Sequence, residues 1–257
     1  MKIDFHTHVK ISKKSMFMPD YFKEMMKEAK ASGLTAIAMT EHFNTLRFLD
    51  IYQFLDQHYE YQDDYYNIDG LKLFSGIEVD IKEVGHILLI GGRNDILEIH
   101  SKLVGHTEAG NFIPFKELLD LAEKYNVLKI GAHAFRKSTP LYHLDREQLS
   151  RLDAFDLNGK DLYSQGVDLY KEKLNGLASD IGRPVVGGSD THQYLQYGSV
   201  MNHLHSECHT IDDLKTSIYQ RNYTIDISPS LSIKVKSAKL VKKLMKQLLE
   251  NKVDAIS

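Results

Sequence analysis

Short apolar runs rich in valine and isoleucine alternate along the chain with amphipathic stretches of helical length, the pattern left by successive βα units. Strands are predicted at about 2–6, 35–40, 72–80, 85–91, 127–132, 154–158, 184–188 and 222–227, in a largely parallel sheet with helices between them. The first helix follows Pro19, a residue favoured at early helical positions. It carries Phe22, Met25, Met26 and Ala29 at helical spacing and ends at Gly33. Phe115, Leu118, Leu119 and Leu121 to Ala122 repeat that spacing in mid-chain. Toward the end, Leu240, Val241, Leu244, Met245, Leu248 and Leu249 make one face of a basic amphipathic helix, and Lys239, Lys242, Lys243 and Lys246 line the rest. Such a helix suits an anionic membrane or a partner as well as the outside of a barrel; with no second membrane signal, packing on the barrel is expected.

At 257 residues and 42% hydrophobic, the chain can bury a core as one α/β barrel or two smaller domains. No Pro/Ser-rich linker or internal repeat divides it, which predicts one domain. The lone cysteine, Cys208, leaves no internal disulfide, and Met1 leads into the strand-like Lys2-Ile3-Asp4-Phe5 rather than a secretory leader, so a cytoplasmic location is expected. No apolar run nears the ~20 residues of a membrane span. A formal net charge of -3 gives no general field for nucleic acid. A small molecule is therefore the expected partner.

Candidate chemistry changes the picture most. Of thirteen histidines, six lie at the ends of predicted strands, or in one case at a strand's start. His6 and His8 close the first strand as His-x-His, and alternation along an extended backbone points both rings to one side, a plausible metal chelate. Glu41-His42 follows the second strand. Glu78, inside the apolar Gly76-Ile77-Glu78-Val79, needs a cation nearby because an unpaired buried charge is costly. His86 opens one apolar run, His133 ends another, and Ser189-Asp190-Thr191-His192 follows Pro184-Val185-Val186. Singly each is ambiguous, and a lone strand-end histidine is often only a hydrogen-bonded structural residue. Recurrence at five or more strand ends points to convergence on metal.

The ordered set His6-Thr7-His8, Glu41-His42, Gly76-Ile77-Glu78, His133 and Ser189-Asp190-Thr191-His192 resembles the PHP (polymerase and histidinol phosphatase) superfamily from residue 3 to about residue 192. The resemblance implies a distorted (β/α)7 TIM-like barrel, here over residues 1–230, with the amphipathic helix of 231–257 packed on it. It also implies two or three divalent ions that hydrolyse phosphoesters, as in a histidinol-phosphatase-like enzyme. Carried over by position, His6, His8 and Asp190 would hold one metal, Glu78 would bridge it to a second bound by His133 and His86, and His42 and His192 would face a third. Imidazole and carboxylate together suit Zn, Mn or Fe.

Family members commonly follow His-x-His with a Ser-Asp-Gly-like turn or another histidine, where this chain reads Val9-Lys10-Ile11-Ser12-Lys13-Lys14. Either Lys13 or a neighbour replaces part of the third metal's charge, or the loop is displaced and another side chain or water completes the site. His192 or His42 is a candidate acid for the leaving group unless a third metal makes both ligands. Arg136 could grip phosphate bidentately or pair with a surface carboxylate, and Asn158 could orient substrate or cap a turn. The alternatives are an amidohydrolase-type barrel that cleaves C–N or C–O bonds, and a PHP-like module that binds metal without catalysis. His203, His205, Cys208 and His209 are expected to form a loop-surface cluster, and the tyrosines at 52, 59, 61, 65 and 66 mainly to pack.

Overall fold

The computed structural model describes residues 1–254, with side chains through residue 248. In chain order its main elements are β1 (Lys2–Thr7), α1 (Pro19–Ala31), β2 (Ala36–His42), α2 (Leu49–His58), β3 (Glu60–Gln62), β4 (Tyr65–Ile68), β5 (Leu71–Ile81), β6 (Gly85–Gly91), α3 (Arg93–Lys102), α4 (Phe115–Ala122), β7 (Val127–Gly131), α5 (Arg146–Leu149), β8 (Ala154–Asn158), α6 (Gly159–Gln165), α7 (Val167–Ile181), β9 (Val185–Gly188), β10 (Val200–Leu204), α8 (Ile211–Tyr219), β11 (Tyr223–Ile227) and α9 (Leu231–Asp254). The strands join in the order β11-β10-β1-β2-β5-β6-β7-β8-β9, with β4 on β5 and β3 on β4. This is a mixed α/β single domain built on a nearly closed, barrel-shaped sheet.

The sheet is less parallel than the sequence reading expects. β1–β2, β2–β5, β7–β8 and β8–β9 are parallel, whereas β6 runs antiparallel to both β5 and β7. Only Lys82 to Val84 separate β5 from β6, and so short a connection can join antiparallel strands alone. Reversal of β6 puts its first residues on the rim where its neighbours end, which explains why His86 stands at a strand's start. Three short strands escaped the sequence reading. β3 and β4 form a hairpin of three and four residues, and β10 breaks its apolar run with Asn202 and His203.

Alternation along the strands separates two apolar layers. Phe74 of β5, Leu88 and Ile90 of β6, Leu128 and Ile130 of β7, Ala154 of β8 and Val186 of β9 fill the barrel interior, and Cys208, Ile211, Leu214 and Ile218 belong to the same cluster. Cys208 is thus core, not loop surface, while His205 and His209 are exposed. Continuing the same alternation upward brings Glu78, His86, Asp156, Asn158 and Asp190 over that plug. The larger cluster packs the helices around the sheet through Phe22, Met25, Met26, Phe115, Leu118 and Leu174. Tyr52 and Tyr66 belong to it and Tyr65 to the inner one, so these three pack.

The barrel closes where β9, the end strand of the path, comes alongside β1. Asp190 N donates to His6 O at 2.8 Å and His8 N to Thr191 O at 2.9 Å. Lower down the joint is made by a side chain: Asn202 of β10 exchanges bonds with Gly187 at 2.7 Å in both directions and donates to Ile3 O at 3.0 Å. α9 leaves this assembly by packing Leu231, Val235 and Ala238 inward, close to the 3₁₀ turn Tyr194–Gln196 and α6. Of the apolar face expected to pack, Leu240, Leu244 and Leu248 are exposed, and Leu249 and residues 255–257 lie outside the described side chains and residues.

Candidate metal centre

Backbone irregularities aim the site's side chains. The β1–β2 register shifts between Asp4 and Thr7, so that Ile3 and Phe5 face the interior cluster while His6 and His8 still reach the rim. His133, with φ +37°, and Asp190, with φ +56°, adopt backbone that non-glycine residues rarely hold, a cost that concentrates at functional sites. Gly188 has no room for a side chain: a Cβ there would fall 2.5 Å from both Asp156 Oδ1 and the Cβ of His6. That close approach lets β9 press against His6 and its carboxylate partner.

Three groups of ligand atoms result, each drawn together within 4.8 Å: His6, His8 and Asp190; Glu78, His86 and His133; and His8, His42 and His192. Glu78 is the hub. Its Oε1 lies 2.7 Å from His86 Nδ1, 3.4 Å from His133 Nε2 and 3.6 Å from His6 Nε2, and its Oε2 lies 2.7 Å from His42 Nδ1 and 3.5 Å from His8 Nε2. Burial opposes ionisation of Glu78, yet His86, His42 and His133 hold its carboxyl well below the usual range. Burial likewise disfavours charge on Asp190, and Lys160, Arg136 and His6 overcome it. His42 is pushed down to about 4, chiefly by burial, while His86 overcomes its burial beside Glu78 and Asp80 and rises to about 9.

Whether these residues suit a metal can be read from atoms left without a hydrogen bond. His8 Nδ1, His42 Nδ1, His192 Nδ1 and Glu78 Oε2 are all buried and lack a hydrogen-bond partner among the described residues. His42 Nδ1 and Glu78 Oε2 stand 2.7 Å apart without aligning as a hydrogen bond. Buried polar atoms are seldom left this way, and convergent imidazole nitrogens and carboxylate oxygens are the donor set of divalent transition metals. The residues fit.

The remaining expected residues frame this cluster. Arg136 donates through Nη2 to Asp190 Oδ2 at 2.8 Å, to Asp161 Oδ2 at 2.6 Å and to Asn158 Oδ1 at 3.0 Å, so its carboxylate partners are buried rather than on the surface. Asn158 caps α6 by accepting from Lys160 N and also donates to Asp156 Oδ2 at 2.8 Å. Lys13 is committed to Asp80, Nζ to Oδ2 at 2.6 Å, and Asp80 Oδ1 reaches His86 Nε2 at 2.9 Å. Its charge therefore bears on the group containing His86. Glu41 accepts from Val9 N, Lys10 N and His42 N, which holds the loop after His8 against β2.

Sequence reasoning missed Asp4, Asp80, Asp156 and Lys160. Asp156 Oδ2 lies 2.8 Å from His6 Nδ1, a carboxylate that orients the ring and leaves Nε2 facing the cluster. Asp4 Oδ1 accepts from His6 N and Ser189 N, and burial lifts its carboxyl to about 7 despite the Ser189 bonds. Lys160 Nζ donates to Asp190 Oδ1 at 2.7 Å. A carboxylate between apolar neighbours, as in Phe155-Asp156-Leu157 and Ile3-Asp4-Phe5, is the signal that singled out Glu78 and could have found Asp156 and Asp4. Asp156→Asn is expected to keep the fold and lower metal-dependent turnover by about 10–100-fold, the usual effect of losing such a partner; steady-state assays at fixed metal measure it, and an unchanged rate would mean His6 needs no orienting.

Comparison with known proteins places this geometry. No curated protein matches the chain. Among solved structures, PsfC from Pseudomonas syringae PB-5123 superposes with a TM-score of 0.78 at 19% identity, covering 95% of this chain and 98% of PsfC. The lesion-specific endonuclease PfuEndoQ from Pyrococcus furiosus gives 0.65 at 19% identity, over 88% of this chain and 58% of the endonuclease. An amidohydrolase from Chromobacterium violaceum gives 0.51 at 13% identity, over 86% and 97%. These are likenesses of fold. The sequence pattern of the PHP domain matches residues 4–197, a span that contains all three ligand groups. The chain belongs to the PHP-domain family of metal-dependent hydrolases.

Proposed function

We propose that the chain hydrolyses small phosphate esters, with two or three divalent ions, Zn, Mn or Fe, held by His6, His8 and Asp190, by Glu78, His86 and His133, and by His8, His42 and His192. The observation that carries this reading is the adjacency of the three ligand groups to two cations, Arg136 and Lys160, both bonded to Asp190. Bound ions would lower the pKa of a water and neutralise charge on the phosphoryl group. Arg136 presents a planar fork suited to a phosphate's oxygens, and Asp161 fixes its orientation through Nε and Nη2. Lys160, at the start of α6, adds a point charge on the same side. His42 and His192 both have depressed pKa values caused first by burial, so at neutral pH their rings offer lone pairs, which suits ligation better than the acid role. A reducing cytoplasm suits the buried free thiol of Cys208.

The test is to chelate the protein, restore Mn, Zn or Fe singly, and assay a phosphoester panel that includes histidinol phosphate, an aryl phosphate and a short oligonucleotide. Turnover of small esters should vanish on chelation and return with at least one metal. The melting temperature should rise with metal as well: an ion at 100 times its Kd adds about 2.7 kcal/mol, worth about 5–10 °C in a domain of this size. Stoichiometric metal with no phosphoester turnover would transfer the proposal to amide or lactone substrates, or to a module without catalysis. Cleavage of the oligonucleotide alone would make nucleic acid the substrate class.

A further inference from the structure

Beside the metal centre lies a cavity of ≈ 360 Å³ walled by Arg136, Lys160, Tyr163, His192, Val235 and Lys242. Its outer wall is α9, which lies beyond the residues 4–197 matched by the family pattern. Whatever α9 contributes therefore lies outside the family's sequence pattern. Two of the four cations on the cavity already have partners, since Lys160 bonds to Asp190 and Arg136 to Asp190 and Asp161, and a third, Lys239, is exposed to water. Lys242 is neither: it is half-buried and, among the described residues, has no ion pair or hydrogen bond. Burial first and Lys160 second draw its ammonium down to about 7, and the more distant charges of Asp190 and Glu41 offset them only in part. An anion brought to it removes that penalty. The volume is that of a small-ligand site, ~300–1,000 Å³, and Tyr163 and Val235 add an apolar wall between the cations.

We propose that this cavity selects small phosphoesters bearing a second anionic group, a carboxylate or a further phosphate, and that Lys242 of α9 receives that group while the scissile phosphate lies at the metal centre. The proposal rests on the phosphoesterase reading but concerns selectivity. Lys160 and Arg136 are committed to Asp190, and Lys239 is exposed to water, so Lys242 is the unpaired, half-buried cation left to distinguish a substrate with one charged end from a substrate with two.

Two matched pairs test it on the metal-reconstituted protein: glycerol 3-phosphate against 3-phosphoglycerate for a carboxylate, and fructose 6-phosphate against fructose 1,6-bisphosphate for a phosphate. In at least one pair, the doubly anionic member should be favoured by about tenfold in kcat/KM, equivalent to ~1.4 kcal/mol. Lys242→Met, which keeps the apolar stem, should bring that ratio close to one; Lys242→Arg should preserve it; Lys243→Met, on an exposed position of α9 off the cavity, should leave it as in the parent. Calorimetric titration with the same four compounds reads the preference without turnover, so an inactive protein defeats the phosphoesterase reading and leaves this one measurable. No preference in either pair, or a preference that survives Lys242→Met, overturns the proposal. So does oligonucleotide binding weakened by Lys242→Met with the small pairs undistinguished, which would assign the lysine to a polynucleotide backbone.

Discussion

Asp190→Asn is expected to lower turnover by on the order of 10³-fold or more, well beyond the 10–100-fold typical of losing an outer partner. The side chain keeps its size, and asparagine tolerates the left-handed backbone at φ +56° better than most residues, so the chain should still close around it. What disappears is the charge. Asp190 is buried, its two oxygens receive Lys160 at 2.7 Å and Arg136 at 2.8 Å, and its Oδ1 lies 3.5 Å from His8 Nε2 and 3.9 Å from His6 Nε2. A neutral amide is a poor replacement ligand, and it leaves Lys160 without its carboxylate beside Lys242. Arg136 keeps Asp161, so the loss of stability should stay near the ~1.5–3 kcal/mol of hydrogen bonds to charged groups, a fall of several degrees in melting temperature. Steady-state kinetics with parallel thermal melts checks both halves. A variant with parental turnover would place the chemistry elsewhere.

Glu78→Gln should be at least as damaging to activity and should also change metal content. Its carboxylate faces five histidines, His6, His8, His42, His86 and His133, at 2.7 to 3.6 Å, and stands in the group with His86 and His133. Turnover is expected to fall on the order of 10³-fold or more, since among the described residues no other carboxylate spans the same histidines, and metal per chain should drop by at least one ion. Elemental analysis of dialysed protein reads the second effect independently of any substrate. Full metal content together with full activity would mean that Glu78 only balances the charge of its histidine neighbours.

The contrast between these residues and Lys160 or Lys242 marks what the sequence makes legible. Glu78 and Asp190 announce themselves because a carboxylate at the end of an apolar strand demands a partner, and His6 and His8 because a two-residue spacing needs only an extended backbone. The α/β class followed from the alternation of short apolar runs with amphipathic helices, and the barrel from the resemblance to the PHP family. Asp80 and Lys13 could not be paired from sequence, since their 2.6 Å contact joins a loop after β1 to the end of β5. Lys242 is hidden for a different reason. Its helix carries more apolar residues than it buries, and the pattern at 240–248 gave no hint that α9 would pack through Leu231, Val235 and Ala238 and turn a lysine toward the cavity. The reversal of β6 was within reach, because three residues cannot make a parallel crossover.

The joint between β1 and β9 has a consequence of its own. His6 and His8 close the sheet's first strand and Asp190 follows the last strand of the barrel path, so one ligand group straddles the line along which the sheet would otherwise come apart. Lower on that line the join depends on the amide of Asn202 in place of a continuous backbone ladder. An ion gripped there would act as a clasp on a hoop: the free energy of holding it and the free energy of keeping the hoop shut would become linked quantities, each drawing on the same three side chains.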